Sequence, residues 1–405
     1  MTPVLVAFLV LMTMVSLSNA QVAVKGEKVY TMASGVIADG VVVITDGKIA
    51  EVGPANEVTI PPGHELLDAK VVTPGLIDAH TVVGLAGQLN RDQDQDQLEN
   101  SSPIQPELRA IDAYNPRERL VSWVRSFGVT TIHTGHAPGN LISGQTLAAK
   151  TGGETVDEAV LRPAVAIAAT LGTGAREQGR APGTRSKAVA MLRDKLLKAQ
   201  EYSDKVAQAE EGKAPARDLE MEALAQVLSH ELPLLVTVDR ANDILTALRL
   251  ADEFGIRLIL DSVAEAYLVL DQLKASGFPV VLHPTMKRAF GDAENLSWET
   301  ASKLRRAGIP FAFQSGYESY VPKTRVVLFE AAVAAANGLS FEEALSSITI
   351  DAARILGVDD RVGSIEKGKD GDLALFDGDP FEYTSHVTAV LINGDLVSGG
   401  DKEWR

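Results

Sequence analysis

Through the middle of the chain, short apolar runs alternate with stretches whose apolar residues recur at helical spacing. Eight runs read as strands: Leu76–His80, Val129–Thr134, Leu141–Ala149, Pro163–Ala168, Leu234–Val238, Arg257–Asp261, Val280–His283 and Pro310–Gln314. Helical stretches follow them, among others Arg117–Phe127, Asp218–Ser229, Asn242–Phe254, Ala264–Ser276 and Lys323–Asn337. That alternation marks βαβ units around a parallel sheet. Eight repeats between residues 71 and 360 predict an α/β fold, a closed (β/α)8 TIM-like barrel. Gly144 and Gln145 interrupt the third strand, and the polar run Arg91–Gln97 reads as a solvated loop.

The two ends have a different texture. Between residues 21 and 70, β-type runs such as Lys28–Tyr30 and Gly40–Ile44 are punctuated by Asp46-Gly47, a hairpin signal because both turn positions favour positive φ. The segment 361–405 repeats the style in Asp372–Phe376 and Val390–Asp395. Neither end has enough strands for its own core, so the two are expected to combine into one small β-sandwich. Residues 1–20 read as a leader. An apolar run from Val4 to Val15 precedes Ser18-Asn19-Ala20, which predicts cleavage before Gln21 and an exported, periplasmic or extracellular protein.

Composition narrows the function classes. The formal charge of −16 opposes binding to nucleic acid or to an anionic membrane face, both of which need clustered Lys and Arg. Without cysteine there are no disulfides, thiolate metal sites or cysteine-linked lipids. Past the leader no run is long and apolar enough to span a bilayer, so no membrane contact is expected after cleavage.

The string Val71-Val72-Thr73-Pro74-Gly75-Leu76-Ile77-Asp78-Ala79-His80-Thr81 resembles the start of the barrel in the amidohydrolase superfamily, in its imidazolonepropionase-like and exported dipeptidase-like branches. Gly139–Gln145, Arg240–Ile244 and Val362–Lys369 with Asp372-Leu373 extend the likeness over nearly the whole chain. The resemblance implies hydrolysis of C–N bonds by one or two divalent metals at the barrel mouth. Its ligands would be a His-x-His pair ending strand one, a Lys or Glu on strand four, a His each on strands five and six, and an Asp on strand eight. A metal there brings bound water to a pKa near 7 and polarises the carbonyl.

This chain departs from that pattern at five of the six positions, which carry Val82, Ala168, Thr237, Ser262 and Gly316; His80 alone is retained. Zinc needs three or four donors at about 2.0–2.3 Å. The expectation is therefore no cofactor, in a degenerate pseudoenzyme that acts as a ligand-binding or supporting subunit. Its partners would be a small molecule or an active paralogous amidohydrolase. The alternative is an active zinc-type hydrolase with a relocated ligand set drawn from His80, His133, His136, Asp239, Asp261 and His283. Among these, His80, Asp239 and Asp261 are the catalytic candidates, and His133, His136 and His283 the binding candidates. Asp261 reads as a general base or as a cap for the next helix. Asp239 reads as a site carboxylate, as a cap for Asn242–Phe254 or as the partner of Arg240. Ser262 and Ser315 lack a Gly-x-Ser-x-Gly elbow, which argues against a serine nucleophile.

Overall fold

The computed structural model describes residues 21–89, 91–176, 181–210, 213–317 and 325–399. The expected leader, residues 1–20, lies outside them. So do the first two residues of the helix expected at Lys323–Asn337, which is seen as Val327–Ala336.

The two ends of the chain do combine. Strands β1 (Val22–Tyr30), β2 (Val36–Thr45), β3 (Lys48–Pro54) and β4 (Glu65–Pro74) form the first part of the terminal sheet. The barrel region supplies β5 (Leu76–Thr81), β6 (Val129–Thr134), β7 (Ile142–Gln145), β8 (Leu147–Lys150) and β9 (Val160–Arg162). It continues with β10 (Ile167–Thr170), β11 (Leu234–Val238), β12 (Leu258–Ser262), β13 (Val280–Leu282) and β14 (Phe311–Phe313). The chain then returns to the first sheet with β15 (Leu373–Phe376), β16 (Val387–Ile392) and β17 (Asp395–Gly399). Strand pairing runs through the terminal strands as one seven-stranded sheet, β17-β16-β15-β4-β1-β2-β3, rather than as the two facing sheets expected. One apolar cluster collects Val24, Ile44, Ile49, Val72, Leu375 and Leu391 from six of its strands. The hairpin signal at Asp46-Gly47 holds, with φ of 52° and 77°.

The barrel strands follow the expected order with one reversal. A six-stranded sheet, β14-β13-β12-β11-β10-β7, and a four-stranded sheet, β5-β6-β8-β9, meet where β7 passes into β8 at Thr146. Both halves of this third strand pair antiparallel with their neighbours, β7 with β10 and β8 with β6. The reason is chain length: only residues 135–141 separate β6 from β7, and a parallel return needs a crossover of about a dozen residues or more. Gly144 belongs to the same break. Its φ is 134°, and a Cβ there would lie 2.5 Å from His136 Nε2. On the far side, the segment after β14 meets β5 through an isolated bridge, Thr81 with Gly316, and among the described residues no continuous ladder closes the ring.

Inside the ring lies an apolar layer of Ile77, Ala79, Ala148, Ala166, Leu235, Ile259, Val281 and Ala312. The helix Ile350–Leu356 closes it from below through Ala352, Ala353 and Leu356. Gly75 lets β5 start against β6, since a Cβ there would lie 2.0 Å from Thr130 Oγ1.

Candidate functional site

Side chains on a strand repeat their direction every second residue. Two residues beyond the apolar layer, the strands therefore turn Ala168, Thr237, Asp261 and Gln314 toward the mouth. Strands six and eight thus present Asp261 and Gln314, one and two residues short of Ser262 and Gly316, which the family pattern puts at the ligand positions.

Asp261 is the hub of this layer. Its Oδ1 lies 3.1 Å from His80 Nδ1 and accepts from Gln314 Nε2 at 2.7 Å, while its Oδ2 accepts from Thr237 Oγ1 at 2.6 Å. Burial alone would raise its pKa, but His80, Thr237 and Gln314 outweigh burial and hold it below the usual carboxylate range. Burial likewise opposes a charge on His80, yet Asp261, with help from Asp78, raises its pKa on balance. His80, Gln314 and Thr237 take both oxygens of Asp261, so Asp261 does not cap a helix. His80 Nε2, on the other side of the ring, makes no well-formed hydrogen bond, although the His136 backbone also helps to raise the ring's pKa.

His133 is placed inside the barrel with both nitrogens committed: Nδ1 lies 2.7 Å from Ala79 O, and Nε2 lies 2.7 Å from Thr146 Oγ1. A carbonyl can only accept, so Nδ1 carries the proton and Nε2 accepts from the threonine. Burial, with His80 nearby, drives its pKa down to about 3. His136 and His283 are also buried, and burial lowers each to about 4. His283 Nδ1 turns back to Pro284 O at 2.8 Å. These three are neutral rings, and they do not converge with His80 on a common point. Among the described residues, no group of three or more His, Asp or Glu side chains is placed to hold a metal ion. The donor set at the mouth does not fit a divalent ion, because its one carboxylate is spent on three protein partners.

Asp239 neither pairs with Arg240 nor caps the helix that follows. Arg240 pairs instead with Asp292 at 3.1 Å and Glu294 at 3.0 Å, and the helix beginning at Ala241 takes its cap from Glu265, whose Oε2 accepts from Ala241 N at 2.8 Å. Asp239 Oδ1 accepts from Ser262 Oγ at 2.6 Å, and Lys287 Nζ lies 2.8 Å from Ser262 Oγ and 3.3 Å from Asp239 Oδ2. Ser262 and Val263 both adopt left-handed backbone, with φ of 71° and 48°. Strain of this kind persists only where surrounding structure imposes it. The turn is strained without any glycine to announce it.

Sequence reasoning passed over Lys287, Gln314, Asp78 and Tyr317. Asp78 stood in the quoted string; its Oδ1 accepts from Ser315 N at 2.9 Å, and burial pushes its pKa up to about 7. Lys287 carried no local signal, since its contacts lie 25 and 48 residues away in sequence. The run Arg91–Gln97 is not simply solvated: Gln97 is buried and donates from Nε2 to Tyr317 Oη at 3.2 Å.

Comparison with known proteins agrees with this architecture. A model described as the amidohydrolase family matches residues 318–397. An imidazolonepropionase of Stenotrophomonas maltophilia is 29% identical over 90% of this chain and 92% of its own length. The crystal structure of an amidohydrolase from Thermotoga maritima aligns with a TM-score of 0.88 and 30% identity, over 94% of this chain and all of that one. An adenosine deaminase from Xanthomonas campestris, solved with bound zinc, shares the fold at a TM-score of 0.55 and 17% identity, over 93% of this chain and 92% of that one. With a structural relative 30% identical along nearly its whole length, the chain belongs to the amidohydrolase superfamily and is imidazolonepropionase-like.

Proposed function

We propose that the barrel mouth of this amidohydrolase is a metal-free ligand pocket, and that the chain serves as a ligand-binding or supporting subunit. One observation carries the reading: His80, the retained ligand position, bonds directly to Asp261, whose oxygens are filled by His80, Gln314 and Thr237. A zinc ion would have to break those bonds and then find two more donors. The inward neighbours, Ala168 and Thr237, supply neither imidazole nor carboxylate. On this reading the ring is a (β/α)8 barrel, the terminal sheet is its small companion domain, and the natural partner is an active paralogous subunit.

A second reading, a metal-dependent C–N hydrolase, is favoured by the imidazolonepropionase relatives that match along about nine-tenths of the chain. It needs a relocated donor set, and His133 would have to give up both its hydrogen bonds to join one.

Metal analysis of untagged protein separates the two. The expected result is well under one zinc, manganese or nickel ion per chain, and no stimulation by these ions of dipeptide or lactam hydrolysis. One tightly held ion per chain, lost when His80 and His133 are both changed to Ala, would establish the hydrolase instead.

A further inference from the structure

Strand β12 ends in a turn that its residue preferences oppose. Ser262 and Val263 have φ of 71° and 48°, and a β-branched residue in that region is a true outlier. Backbone bonds pin the turn, Val263 N to Val238 O at 2.7 Å and His283 N to Ser262 O at 2.8 Å. Strain of this kind gathers at sites where a side chain has to be aimed. The side chain aimed here is that of Ser262, a residue only 4% exposed, which lines a cavity of about 60 Å3 at the mouth.

The Ser262 hydroxyl is met from two sides. It donates to Asp239 Oδ1 at 2.6 Å, and the Lys287 ammonium donates to it at 2.8 Å. Asp239 is held in turn by Ala264 N, 3.3 Å from the same Oδ1, and by Lys287 Nζ, 3.3 Å from Oδ2. A hydroxyl oxygen has one proton and two lone pairs, so one lone pair remains beyond the one that Lys287 engages. A lysine and an aspartate need no strained serine in order to pair. A nucleophile, its base and a third group that orients the base do need a fixed geometry. Charge is balanced as well. While Asp239 is ionised it answers Lys287, so the trio carries no excess. Once Asp239 takes the serine proton, the same ammonium stands uncompensated beside the reacting centre, where negative charge develops.

We propose that Ser262 is an acyl-accepting nucleophile, with Asp239 as its base and Lys287 stabilising the oxyanion, and that its substrates are short-chain acyl esters. The inference rests on the reading of the mouth as metal-free and adds a chemical step to that pocket. Ser262 Oγ bonds to the acyl carbon as its proton passes to Asp239. The ester C–O bond breaks, and the departing alkoxide takes that proton and leaves as an alcohol. Water then attacks the acyl-serine and gives a proton to Asp239; the bond to Oγ breaks, the proton returns to Ser262, and the acid leaves. A volume of about 60 Å3 equals roughly two waters' share of liquid, which limits the acyl part to a few atoms, walled by Pro138 and Pro284.

The test is turnover of p-nitrophenyl acetate by full-length protein, before and after chelator treatment, with acid-quenched samples mapped for acetyl groups by mass spectrometry. The expected result is saturable release of nitrophenolate in both preparations and an acetyl group on Ser262. Ser262→Ala should abolish both signals, and Asp239→Asn and Lys287→Met should each slow release about a hundredfold. Melting curves show whether each variant is folded, and mapping on the unaltered chain decides the matter should a variant fail to fold. Release that does not saturate, release that persists in folded Ser262→Ala, or acetyl groups found only on other residues overturns the proposal. If neither preparation releases nitrophenolate saturably, the serine inference alone fails. If only the untreated protein does, the metal-free reading fails with it.

Discussion

The mouth of the barrel and its junction with the terminal sheet both bury charge, and they finish the task differently. At the junction, Lys150 Nζ lies 2.7 Å from Asp370 Oδ2, 2.9 Å from Asp372 Oδ1 and 2.5 Å from Asn393 Oδ1. Asp370 also takes Lys48 at 2.5 Å and Arg361 at 2.8 Å. Three cations surround that carboxylate, and of the two buried acids only Asp372 keeps an oxygen, Oδ2, without a hydrogen-bond partner. At the mouth, by contrast, the His80–Asp261 pair leaves His80 Nε2 without a well-formed hydrogen bond beside a cavity, and His283 Nε2 has no partner among the described residues. Buried polar groups that only hold a structure together tend to complete their bonds internally. Those left incomplete beside empty space are where a ligand gains most.

The sharpest way to break this comparison is at the junction. Lys150→Met removes a cation shared by two buried carboxylates and should cost about 3–5 kcal/mol, because breaking a buried pair leaves charge uncompensated. Urea unfolding would measure it; a loss below about 1 kcal/mol would mean the junction is no better satisfied than the mouth. Asp261→Asn should cost less, about 1–3 kcal/mol, since the amide keeps an oxygen to accept one of the carboxylate's hydrogen bonds. If this variant is the more damaging of the two, the ranking of the regions is reversed.

The smallest and broadest effect is on pH dependence. His133, His136 and His283 have folded pKa values of about 3, 4 and 4 against an ordinary 6.5. An unfolded chain therefore takes up protons below pH 6.5 that the folded chain refuses, and stability falls as pH drops from there toward 4. Asp78 acts in the opposite sense. Its pKa, raised to about 7, makes its contribution greatest below 3.8 and lost as pH rises through 7. Glu330 and Asp372, both raised by burial, act the same way. The histidines prevail near pH 5, with a net slope on the order of 1–3 kcal/mol per pH unit. Urea midpoints compared at pH 5 and 7 should show the lower value at pH 5, and a flat profile would contradict neutral buried rings. The depressed Asp370 at the junction adds its loss only below 3.8.

Much of the fold was legible because it rests on local pattern. The alternating runs gave the barrel strands in order, Asp46-Gly47 gave its turn, and the Pro74-Gly75 string placed β5. The antiparallel third strand was legible too, had the seven residues between β6 and β7 been set against the length of a crossover. The site was harder. Counting in twos along Leu258–Ser262 would have turned Asp261 inward with Ile259, yet the resemblance to the family drew attention to Ser262. The strain at Ser262 and Val263 has no glycine to reveal it, because tertiary contacts impose the φ values rather than residue preference. Lys287 reaches its partners from a loop beyond β13, and no spacing rule connects it to Asp239.

The terminal sheet also sets an order of events for a growing chain. Strand β4 ends at Pro74, and its partner on one side, β15, begins at Leu373, with the two paired through Leu373 and Pro74. While the ribosome makes the intervening barrel, that edge of β4 has no neighbour within the finished sheet. Open edges are what other chains pair with, and late long-range pairing keeps them open longest. Strands made after the barrel thus cover one made before it, and a chain halted before Leu373 carries the barrel strands beside an unsealed sheet.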